Sequence, residues 1–105
     1  MTRAERQRIE RAGWDVTTVQ ELLGLSDAEN RLVELKVALS MKLKEQRRRR
    51  RLSQQALAKL LRSSQPRIAK IEAADPTVSL DLLFKALFAT GITKKELAKA
   101  IATSA

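Results

Sequence analysis

Apolar residues recur along the chain at helical rather than strand spacing. Leu39 and Leu43 lie four apart, with Arg47 in the next place on the stripe. Leu57, Leu60 and Leu61 form an apolar face, as do Ile68 with Ile71, and Leu97 with Ala98 and Ile101. Helix starts are written between these runs. Ser26-Asp27-Ala28-Glu29, Thr18-Val19-Gln20-Glu21 and Thr93-Lys94-Lys95-Glu96 have capping-box spacing, in which a hydroxyl and a carboxylate three residues on satisfy two orphan amides. Ser53 and Ser79 stand as single N-caps. Gly24 and Gly91 fall where helices would end. The pattern predicts helices at Thr18–Leu23, Asp27–Arg50, Gln54–Leu61, Gln65 or Pro66 to Ala74, Leu80–Thr90 and Lys94–Thr103. Residues 1–12, Arg/Glu-rich around Ile9, read as frayed helix or disorder.

Composition narrows the chemistry. In 105 residues there is no Cys and no His, so the usual zinc and iron–sulfur sites, disulfides and His-based nucleophilic catalysis are not expected. No metal, cofactor or enzymatic activity is expected. Apolar residues are 44% and aromatics 3%, which calls for an aliphatic core. No apolar run approaches the roughly 20 residues of a membrane span, and the N-terminus lacks a secretory leader's apolar stretch. A cytoplasmic protein without a membrane partner is expected.

Charge singles out one region. The net charge is +9, yet residues 1–25 balance at four basic and four acidic. Residues 26–51 hold nine basic and four acidic, and five of the nine are the run Arg47-Arg48-Arg49-Arg50-Arg51. Cations at a helix C-terminus complement its dipole. Five in succession exceed that need and point to a polyanionic partner.

The segment LSQQALAKLLRSSQPRIAKIEA, Leu52 to Ala73, holds two short helices separated by a few polar residues: a helix-turn-helix, with the motif at about 53–73. At 100° per residue, Ile68, Ile71 and Glu72 share one face of the second helix, and Pro66, Ala69, Lys70 and Ala73 the other, with Gln65 and Arg67 on the flanks. Ala69 and Ala73 are small enough to let the backbone sink into a groove. Gln65, Pro66, Arg67, Ala69 and Lys70 are thus the candidate base-reading set, since Gln favours adenine and Arg or Lys favours guanine.

Through Leu52-Ser53-Gln54, Leu57-Ala58, Leu61 and Ser64-Gln65 to Ile68-Ala69-Lys70-Ile71-Glu72, the chain resembles the XRE class of helix-turn-helix regulators, which includes phage Cro and repressor domains. The resemblance covers about three-quarters of the chain. It implies an all-α, five-helix lambda-repressor-like DNA-binding domain over 26–105, with residues 1–25 as a short N-terminal helical extension. It implies a DNA-phosphate contact from Gln54, assisted by Ser53. Ser64, Arg50, Arg51 and Arg62 are further phosphate candidates. It pairs Arg47 with Glu72, both on core faces, as a structural ion pair. It also implies a homodimer on double-stranded DNA, most simply a repressor. The extended form is similar to HigA-like antitoxins, which implies a cognate toxin as partner and autoregulation. Trp14 is either a clamp on the body or an anchor for that partner. Three departures bear on the turns. Arg62 stands where the family has Gly, so either Arg62 takes a left-handed conformation at roughly 1 kcal/mol or the turn differs. Ser63 replaces an apolar residue, and Ala73-Ala74 replaces a Gly after the motif.

Overall fold

In the computed structural model, residues 2–5 and 26–103 are described. The helix expected at Thr18–Leu23, the cap at Gly24, and Trp14 lie outside them. From residue 26 onward the chain forms five helices: α1 Asp27–Arg49, α2 Gln54–Leu60, α3 Gln65–Glu72, α4 Leu80–Ala89 and α5 Lys94–Ala102. Among the described residues there is no strand, and the architecture is the small all-α, lambda-repressor-like one.

Every one of these helices starts at a hydroxyl residue in extended conformation. Ser26 and Thr93 complete capping boxes with Glu29 and Glu96. Ser53, Ser64 and Ser79 accept the amides of Ala56, Arg67 and Leu82. Pro66 sits in the first turn of α3, where its missing N–H costs nothing.

The helix ends are less conventional. Arg51, Arg62 and Ala74 have φ of 56°, 52° and 57°, in the left-handed region that favours glycine. Each closes its helix by the same pair of bonds. After α2, the amides of Arg62 and Ser63 donate to Lys59 O and Ala58 O at 3.2 and 2.8 Å. After α1, Arg51 and Leu52 donate to Arg48 O and Arg47 O, both at 3.0 Å. After α3, Ala74 and Asp75 donate to Ile71 O and Lys70 O at 3.2 and 3.1 Å. These are Schellman ends, which fix the chain's exit direction. Of the two geometries open to Arg62, the left-handed one is observed. Relief of this strain is directly testable. Ala74→Gly should raise stability by about 0.5–1 kcal/mol, the left-handed penalty less glycine's extra unfolded-state entropy. Chemical denaturation measures it, and a lower midpoint would contradict the strain.

The core is aliphatic. Leu39 and Leu43 of α1, Leu57 and Ala58 of α2, Ile68 and Ile71 of α3, and Leu83, Ala86 and Leu87 of α4 are buried together, with Val78, Ile92 and Leu97 completing the cluster. One expected face is corrected. Leu60 is 59% exposed. Leu57, Ala58 and Leu61 centre the buried face of α2, and Leu60 lies about 110° from that centre at 100° per residue. The same geometry puts Gln54, three before Leu57, on the buried side. In α5, Leu97 packs into the core, whereas Ala98 and Ile101 are exposed.

Candidate nucleic-acid interface

Arg47 and Glu72 hold α3 against the end of α1. Arg47 Nε donates to Glu72 Oε2 at 2.5 Å and Nη2 to Oε1 at 2.9 Å, a bidentate pair. Nη1 donates to Leu52 O at 2.9 Å, so one guanidinium ties α1, the α1–α2 turn and α3. The side chains are only 12% and 4% exposed. The hydrogen bond to Glu72 holds the Arg47 guanidinium above its ordinary value, outweighing desolvation.

The carboxylate also organises the surface above it. Gln54 Nε2 donates to Glu72 Oε1 at 3.3 Å, and Gln54 Oε1 accepts from Gln65 Nε2 at 2.7 Å. An ionised carboxylate only accepts, so it turns the Gln54 amide's NH₂ inward and its oxygen outward. Gln65 must then present its own NH₂ to Gln54. Its carbonyl and second N–H remain, the pair of groups that an adenine edge requires. Sequence reasoning placed Gln54 and Glu72 separately and missed this relay. The spacing Gln54, Leu57, Ala58, Leu61 placed Gln54 on the buried face of α2 but did not name its partners on α3.

Gln65, Pro66, Arg67 and Lys70 are exposed along α3, with half-buried Ala69 between them and exposed Ala73 at its end. Ser53 and Ser64 cap α2 and α3 at the same end of the motif as Gln54 and Gln65. Asp75, beyond α3, is held below the usual carboxylate range by hydrogen bonds from Thr77 and by the charge of Lys70.

The arginine run is divided by its structure. Arg47 is turned inward. Arg48 and Arg49 are exposed on the last turn of α1. Arg50 lies over Gly91, its Nη2 3.4 Å from the Gly91 carbonyl oxygen. Arg51 and Arg62 are exposed at left-handed turn positions. The hydroxyl of Ser63 is buried and meets no hydrogen-bonding partner among the described residues.

Residues 43–87 match the family model described as Helix-turn-helix. That stretch is similar to this helix-turn-helix family. It spans the end of α1, all of α2 and α3, and most of α4. A helix-turn-helix of this class indicates a DNA-binding transcriptional regulator. No curated protein and no solved structure matches the chain. Among the described residues, no helix is long and apolar enough to cross a membrane.

Proposed function

We propose that the chain is a sequence-specific, dimeric repressor that occupies double-stranded DNA with α3 in the major groove. The observation that carries this reading is the outer face of α3. It presents Gln65, Arg67 and Lys70 around small Ala69 and Ala73, while Glu72 on the opposite face is bound to Arg47. Gln65, Arg67 and Lys70 read base edges, and Ala69 and Pro66 permit close approach. The second Nε2 N–H of Gln54, beside the one given to Glu72, and the hydroxyls of the capping Ser53 and Ser64 donate to backbone phosphates, which set register without carrying sequence information. Arg50, Arg51 and Arg62 add longer-range attraction. The division of the chain into an extension, 1–25, and a DNA-binding domain, 26–105, belongs to the same proposal. Two copies would place their α3 helices about 34–36 Å apart on successive turns of the groove. Exposed Ala98 and Ile101 of α5 are suited to the contact between them.

Gln54 tests the phosphate role and the relay together. Gln54→Ala should weaken binding to every duplex severalfold, through the lost phosphate contact. It should also lower discrimination at one base pair, because Gln65 loses its partner. Fluorescence anisotropy against a set of single-base variants measures both effects. Unchanged affinity across the set would remove Gln54 from the interface.

A second reading, a HigA-like antitoxin, is supported by α1. Val33, Val37 and Met41 are 53%, 42% and 68% exposed, an apolar strip that DNA binding does not use. A toxin protein would cover it. Retention of a purified candidate toxin by the wild-type chain, and its loss with Val37→Glu, would favour that reading.

A further inference from the structure

We propose that the cleft between α3 and the start of α4 binds a phosphate monoester carrying a small apolar body, and that its occupancy excludes DNA. The exclusion rests on the assignment of Arg67 and Lys70 to the DNA face; the binding site itself does not. The cleft encloses about 410 Å³, inside the range of roughly 300–1,000 Å³ typical of small-molecule sites.

Its lining divides by chemistry. Val78 and Leu82 supply an apolar side, and Arg67 and Lys70 supply two cations. Among the described residues, neither cation forms a salt bridge. Ser64 and Ser79 also line the cleft, and each accepts a helix amide through its oxygen. A capping hydroxyl keeps its own proton to donate. Asp75 accepts the N–H of Thr77, another lining residue, at 2.8 Å and its hydroxyl at 2.6 Å, and forms no salt bridge with Lys70 among the described residues. Two cations and two free O–H donors facing one space match the three terminal oxygens of a phosphate group. The apolar side makes the preferred ligand an ester rather than the bare ion. Because Arg67 and Lys70 cannot serve the ligand and a base pair at once, a bound ester would release the DNA.

The test uses the full chain, isotope-labelled and titrated with phenyl phosphate and then with inorganic phosphate, following amide shifts. Saturable shifts confined to residues 64–82 are expected, with phenyl phosphate bound severalfold more tightly. Ser79→Asp keeps a good N-cap but places a negative charge in the cleft. It should weaken phenyl phosphate by about tenfold or more, with an unchanged circular dichroism spectrum. Leu82→Ala should weaken phenyl phosphate and leave inorganic phosphate unaffected. Absence of saturation, equal affinity for the two phosphates, or shifts centred on Arg48–Arg51 would overturn the site. Displacement of a labelled mixed-sequence duplex by phenyl phosphate is the second measurement. If duplex binds and no ester does, the site fails alone. If the ester binds and the duplex stays, the exclusion fails, and the placement of Arg67 and Lys70 against DNA fails with it.

Discussion

Arg47→Ala is expected to destabilise the domain by about 3 kcal/mol or more, the cost of leaving a buried charge unpaired. Glu72, only 4% exposed, would lose both bonds of its bidentate partner. The Leu52 carbonyl would lose its donor too. For a domain of this size the loss corresponds to a melting-point drop of more than about 12 °C. Arg49→Ala, on the exposed side of the same helix, should stay within about 0.5 kcal/mol. The double variant Arg47→Met with Glu72→Leu should recover most of the stability, since apolar replacement of a buried pair is often neutral. It should not recover DNA discrimination, because Gln54 would have no carboxylate to orient it. Equal, small effects from Arg47→Ala and Arg49→Ala would show that the pair does not dock α3.

Ala69→Leu is expected to leave the fold intact and to cut specific DNA affinity by at least about tenfold, a loss of ~1.4 kcal/mol. Ala69 is half-buried between exposed Pro66 and Lys70, and the core side of α3, Ile68 and Ile71, is untouched by the change. The added bulk would hold the helix away from the base edges. Non-specific, salt-sensitive binding should survive, because the cations that neutralise phosphates remain. Circular dichroism with titrations of specific and mixed-sequence duplex separates the two. Unchanged specific affinity would take α3 out of the groove.

The helix starts were legible because each depends on one residue type at one place. Ser26, Ser53, Ser79 and Thr93 cap where a hydroxyl precedes an apolar-periodic run, and the helices begin at the next residue. The ends were harder to read. A left-handed helix end is announced by glycine, as at Gly91 with φ 80°, but here three ends use Arg51, Arg62 and Ala74. Those residues take the strained conformation because the hydrogen bonds and the packing beyond it compensate, a tertiary effect that local pattern does not encode. Leu60 shows the same limit. In a helix of seven residues, two leucines and the Leu61 that caps it fit more than one face, and only the position of the neighbouring helices selects Leu57 and Leu61.

At the candidate interface, the sidedness of α3 followed from its period alone, since Ile68 and Ile71 place the outer face wherever they pack. Arg47 and Glu72 were legible as charges on apolar stripes, which need a partner to be buried. The relay from Glu72 through Gln54 to Gln65 was not read, because it joins the first turns of two helices to the last turn of one, and spacing within one helix does not reveal such a junction. The division of the arginine run was equally hidden. Consecutive residues on a helix end diverge by about 100° each, so five like charges in sequence do not make one surface.

Sequencing the duplexes that the chain enriches from a random pool tests the central claim most directly. The expected result is a palindromic motif with half-sites about 10–10.5 base pairs apart, whose preference changes at one position per half-site with Lys70→Ala. Enrichment of no motif, or a motif indifferent to Arg67, Lys70 and Gln65, would contradict sequence-specific reading by α3.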